Sequence, residues 1–205
     1  MPSRATLCLA LLIGLPAGVG VHGGVSGTAH DFAANGRAGG GGCAVCHVSH
    51  SAGEHAGAPA WMSRRGNMIY TLYTSPTMNA VPTQPTHYGS KLCLSCHDGV
   101  TALDTFGGQA GSPFVSGRAR LGIDLRATHP IGIVYDAALA RADGGLFDPD
   151  SRRLATGETI TRGMLFGTGN LECASCHDVH NRYGNPKLLR IRNDGSALCR
   201  TCHNL

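Results

Sequence analysis

Eight cysteines and four histidines of this chain fall into one spacing used four times. The segments are Cys43-Ala-Val-Cys46-His47, Cys93-Leu-Ser-Cys96-His97, Cys173-Ala-Ser-Cys176-His177 and Cys199-Arg-Thr-Cys202-His203. Two thiols separated by two residues can bind zinc, cycle as a disulfide, or add to the vinyl groups of a porphyrin. A histidine directly after all four pairs selects the last of these. Both sulfurs then reach one porphyrin edge, and the next residue sits beneath the iron as its proximal ligand. The expectation is four covalently attached c-type haems, with His47, His97, His177 and His203 as proximal ligands. Four zinc sites are the structural rival and would leave the protein colourless.

Iron held this way needs a second axial ligand, and the chain has eleven histidines from which to supply it. His50 and His180 each follow a proximal histidine by three residues on the same short segment. That offset points the two imidazoles toward different irons, so each trailing histidine is expected to ligate a neighbouring haem. His129 precedes Pro130, which biases it toward extended backbone able to present its ring. His30 holds the matching place in the other half. The expected distal set is therefore His30, His50, His129 and His180. His55 and His87 have no counterpart in the other half and are read as surface residues or propionate partners, and His22 as part of a loose or removed N-terminus. Met62, Met68, Met78 and Met164 could offer an axial sulfur. Enough histidines exist without them, so they are read as packing residues, as are Trp61, Tyr70 and Tyr73.

The elements that must position these groups are sparse. Gly (30) and Pro (10) are well above ordinary usage. Such a chain builds a weak core by itself, so the fold expected is mostly coil with few short helices around a haem-organised core. The order of free histidine, motif with trailing histidine, and plain motif occurs twice. It reads as a doubled two-haem unit, with loose halves 25–110 and 111–205 inside one tetrahaem domain, 25–205. Short helices are expected at the plain motifs, with Ser90 and Ser196 as candidate N-caps. Another is expected over Asp136–Ala142, ended at Gly144-Gly145. Thr105–Gly122 reads as loop, and Thr156–Thr168 as a small hairpin.

Residues 1–24 have a secretory pattern: Arg4, then a short apolar run from Ala5 to Leu15, then small residues. The run is too short for a comfortable membrane span, and no second hydrophobic segment follows. Cys8 lies inside it and has a poor lipobox before it. Export suits c-type haem, which is attached outside the cytoplasmic membrane. The formal charge is +4, but the propionates of four haems add roughly eight negative charges. The positive residues are mostly arginine, suited to bidentate pairing with carboxylates. Nothing in this balance points to nucleic acid.

The stretch Gly27-Thr-Ala-His30-Asp-Phe before Cys43-x-x-Cys-His-x-x-His50 resembles the doubled-CxxCH multihaem cytochromes c of metal-reducing bacteria. So do Tyr70-Thr-Leu-Tyr-Thr-Ser-Pro-Thr-Met78, Ser90-Lys-Leu-Cys-Leu-Ser-Cys-His-Asp-Gly99, His129-Pro130 and Cys173-x-x-Cys-His-Asp-Val-His180. The tetrahaem count and motif order are also similar to outer-surface cytochromes that polymerise into filaments. The resemblance implies bis-histidine haems in a closely spaced chain, an electron-transfer role, and the same four distal histidines. Val48-Ser49 stands where the family often has Thr-Pro.

The function expected is an exported tetrahaem electron carrier, at the cell surface or outside it, or alternatively in the periplasm. Its partners would be redox proteins or extracellular electron acceptors, or further copies of itself in a filament. For the filament, the glycine-broken arm of His30 would reach a haem of the next subunit, the rival being an arm folded onto its own haems. An enzyme is not expected. A multihaem reductase of a small nitrogen oxide would need a five-coordinate haem, and a Cys-x-x-Cys-Lys motif of the kind some such enzymes use does not occur.

Overall fold

A computed structural model describes residues 24–34, 43, 46–47, 68–85, 89–100, 102–103 and 113–204. The N-terminal secretory stretch, Gly36–Gly42, His50, His55, His87, Trp61, Met62 and residues 105–112 lie outside the described residues. The rest is mostly coil and turns carrying five short helices and a two-stranded sheet.

In chain order the helices are α1 (Ser90–His97), α2 (Ala137–Asp143), α3 (Ile160–Gly163), α4 (Cys173–Cys176) and α5 (Cys199–Cys202). Three of them carry motif cysteines. Helix α2 starts because the Asp136 side chain accepts a hydrogen bond from Leu139 N. It stops because Gly144 turns left-handed at φ 73°, which an L side chain rarely tolerates. The strands β1 (Ile133–Val134) and β2 (Asn170–Leu171) pair antiparallel and were not legible beforehand, being two residues each.

Three local expectations are corrected. Ser90 does not cap its helix. It is the first residue of α1, fully buried, and its side chain is spent on Glu172 and Cys173. Ser196 caps nothing either, since it closes a 3-10 turn at φ 62° and Leu198 precedes α5. The segment expected as a hairpin holds only a bridge from Arg153 to Thr159 and then turns into α3. The Thr159 hydroxyl, which accepts from Arg162 N, favours a helical turn over a second strand.

Two apolar clusters form the core. The larger joins Ile133, Tyr135, Ile160, Met164, Leu165 and Leu171, with Met78, Leu198 and Cys202 against it. The smaller joins Tyr70, Leu94 and Leu125, with Met68 beside it. These three methionines therefore pack. Contacts cross the expected boundary between halves: Thr83 N and Oγ1 both donate to Gly132 O at 2.8 and 2.9 Å. A Cβ on Gly132 would strike the Thr83 carbonyl, so only glycine fits there.

Candidate functional site

Every cysteine pair sits on one helical turn. At each of Cys43, Cys173 and Cys199 the carbonyl accepts from the backbone N of the histidine four residues on, at 2.8, 3.0 and 2.9 Å. The fourth pair lies inside α1. A helical turn puts residues i, i+3 and i+4 on one side, which is the presentation that two sulfurs and an axial imidazole need to meet one macrocycle. After α4 and α5 the backbone becomes extended at His177 and His203. Each is then pinned by an antiparallel bridge, to Leu189 and Leu146 respectively.

Motifs consecutive in the chain stand near one another. Cys46 lies near Cys96, Cys93 near Cys173, and Cys176 near Cys199. Burial, more than these neighbours, pushes the Cys46, Cys176 and Cys202 thiols up to about 11. Among the described residues no three His, Cys, Asp or Glu side chains converge as a metal cluster.

Three proximal histidines each face a remote histidine. The ring centres of His30 and His97 are 5.9 Å apart, those of His47 and His180 6.1 Å, and those of His129 and His203 6.2 Å. A histidine nitrogen bonds a metal at about 2.0–2.1 Å and lies roughly 1 Å from its ring centre, so two rings across one iron stand about 6 Å apart. The three spacings fit that requirement. Proximal His177 is exposed, and the remaining expected distal residue, His50, lies outside the described residues.

The rings are aimed by their other nitrogen. Nδ1 of His97, His129 and His177 lies 2.8, 2.9 and 3.0 Å from the carbonyl oxygens of Ala119, Pro130 and Lys187. Donating there leaves Nε2 with the lone pair for iron. His180 Nδ1 stands 3.9 Å from Oδ1 of Asp178. Burial alone would raise that carboxyl, but hydrogen bonds from Arg182 bring it below the usual range. In His30, Nδ1 is buried without a hydrogen-bond partner, which is costly for a polar atom unless something ligates it. Burial first, then the nearby His97 and His177, hold His30 below its ordinary pKa. Burial and then His129 do the same for His203. Both shifts favour the neutral imidazole that binds metal.

His30 thus pairs with a proximal histidine of its own chain. Around it Phe32 is buried, and the Asp31 carboxylate oxygens accept from Gly27 N and Ala34 N in a local turn.

Reading the sequence missed how the second and third motifs are joined. Glu172 is buried, and its Oε2 accepts from Ser90 N at 2.9 Å and from the Ser90 hydroxyl. Ser90 Oγ in turn accepts from Cys173 N at 2.9 Å. With the capping box of Glu172 and Ser175, this bolts α1 to α4. No local signal announces a partner 82 residues away.

The family described as "Doubled CXXCH motif" matches residues 166–204. That match supports a multihaem c-type cytochrome. The doubled motif indicates covalently bound haem c and the work of an electron carrier. No curated protein matches the chain. Among the described residues no helix is long and apolar enough to cross a membrane.

Proposed function

We propose that the protein is an exported tetrahaem electron carrier, closed by bis-histidine ligation at all four irons and working without catalysis. Support comes from the three imidazole pairs, each joining one motif histidine to a remote histidine at 5.9–6.2 Å. The doubled arrangement extends this to the fourth. His180, which trails the third motif, faces His47 of the first. By the same rule His50, which trails the first motif, serves His177 of the third.

Haem iron held between two imidazoles supplies one-electron chemistry with both axial positions filled. The chain's own residues do the rest. The carbonyls of Ala119, Pro130 and Lys187 fix the rings, so little rearranges on electron transfer. Consecutive motifs stand near one another and His180 ties the third motif to the first, so the four haems would form one connected cluster. The secretory pattern of residues 1–24 supports a location outside the cytoplasmic membrane. With His30 engaged in its own chain, head-to-tail assembly through that residue is not part of this proposal, and redox proteins or extracellular acceptors are the partners it calls for.

Carbon monoxide added to the reduced protein separates a carrier from a reductase. A carrier with four saturated irons gives an unchanged spectrum. A carbon monoxide adduct in native protein would mark an open iron and favour the reductase.

A further inference from the structure

The residue after the proximal histidine differs from motif to motif: Val48, Asp98, Asp178 and Asn204. Two of the four are acidic, and both are buried, Asp98 at 2% and Asp178 at 3% exposure. Their charges are met differently. Asp178 Oδ2 accepts from Arg182 Nε at 3.0 Å, and that guanidinium is exposed. Asp98 has no ion pair among the described residues. Arg120, whose side chain passes over Gly99, makes none with it.

Neutral donors hold Asp98 instead. Val100 N donates to Oδ1 at 2.8 Å, and the Tyr70 hydroxyl to Oδ2 at 3.4 Å. Burial, then Asp98 itself, pushes the Tyr70 phenol up to about 12, so it stays a donor. Tyr70 is fixed in turn. Its backbone N donates to Gln84 Oε1 and its carbonyl accepts from Gln84 Nε2, both at 2.9 Å. Thr71 N donates to Ile123 O and Thr71 O accepts from Leu125 N, while Leu121 N donates to His97 O. One closed set of contacts therefore holds the carboxylate, the phenol and the backbone of His97.

Nothing in the fold rewards a charge here. Asp98 is the C-cap of α1, where the helix dipole disfavours a carboxylate. Burying a charge without an opposite partner is costly. An asparagine would accept from Val100 N equally well. A local rule broken without structural gain marks a functional position. The adjoining His97 is the proximal histidine of the second motif. A negative charge in surroundings too apolar to screen it favours the more positive, ferric state of a neighbouring iron.

Given the tetrahaem carrier reading, on which this rests, we propose that Asp98 is a potential-setting residue: its buried, unpaired carboxylate lowers the reduction potential of the haem on the second motif. The step concerned is the gain of one electron by ferric haem to give ferrous haem. No bond is made or broken, and Asp98 is unchanged between the two states. The fourth motif, with exposed Asn204 in the same place, has no such charge.

An electrode-driven redox titration of the intact holoprotein at fixed pH, followed by absorbance, tests it. Asp98→Asn should raise one of the four midpoints by about tenfold or more in the reduced-to-oxidised ratio, which is about 59 mV for one electron, with all irons still low-spin. In a His30→Ala background the same rise should appear in the high-spin haem, since His30 faces His97. Asp98→Ser, neutral and smaller, should give the same rise and serves where the amide disturbs folding. Tyr70→Phe disturbs the same packing but keeps the carboxylate, and should leave the midpoints in place. Unchanged midpoints in both neutral variants would overturn the proposal. So would an equal rise in Tyr70→Phe, or a rise confined to another haem. Fewer than four haems, or an open iron in native protein, would instead sink the electron-carrier reading and this proposal with it. Four closed haems with unmoved midpoints would sink this proposal alone.

Discussion

The plain motifs around Cys93 and Cys199 share Ser-x-Leu-Cys-x-x-Cys-His, yet they are built into the molecule differently. The first is an eight-residue helix whose Ser90 and Leu94 are fully buried, tied through Glu172 to the next motif. The second is a four-residue turn with Ser196 exposed and Arg200 facing a cavity. The facing imidazoles differ too: His30 and His97 are tilted at 47°, His129 and His203 at 73°. Equal local sequence gives equal thiol presentation, because one helical turn suffices for that. What surrounds the motif is decided by residues distant in sequence, so one copy becomes an interior joint and the other an outer face.

The largest test of this comparison removes an axial ligand from each region. His30→Ala and His129→Ala should each turn one haem high-spin and accessible to carbon monoxide, leaving the other three low-spin in the absorption spectrum. His55→Ala should leave all four low-spin. A low-spin His129→Ala protein would break the pairing with His203.

Next in size is the joint. Glu172→Ala strips a buried hydrogen-bonding group from Ser90 and the start of α4 and should cost about 2–3 kcal/mol in urea unfolding. Ser196→Ala, the matching site in the other plain motif, should stay within about 0.5 kcal/mol because its side chain is exposed. Equal costs at both sites would mean that the two motifs are anchored alike.

The helical turns at the plain motifs were legible because they depend on spacing along the chain, as was the helix from Asp136, whose cap and stop are local. The pairing of His30 with His97 was only half legible. Its position before the first motif marked it as a candidate ligand, but no local signal said which motif histidine it would face. Ser90 illustrates the opposite failure: its sequence context favours an N-cap, and a buried Glu172 from the other half overrides it.

A finer effect should appear in the electron paramagnetic resonance of the oxidised protein. Near-perpendicular axial rings leave two iron d orbitals close in energy, while near-parallel rings split them. The haem between His129 and His203, at 73°, should give a highly anisotropic low-spin signal, and the one between His47 and His180, at 26°, a rhombic one. His129→Ala should remove the former alone. A single uniform signal from all haems would sharpen the comparison against distinct ring settings.

The central claim is that all four Cys-x-x-Cys-His segments carry haem. Intact-mass spectrometry of protein matured in a host that attaches c-type haem tests it most directly. The account predicts a polypeptide carrying four haem mass increments, with no motif thiol left to alkylate. Fewer than four increments in fully matured protein, or a colourless zinc form with free thiols after denaturation, would contradict it.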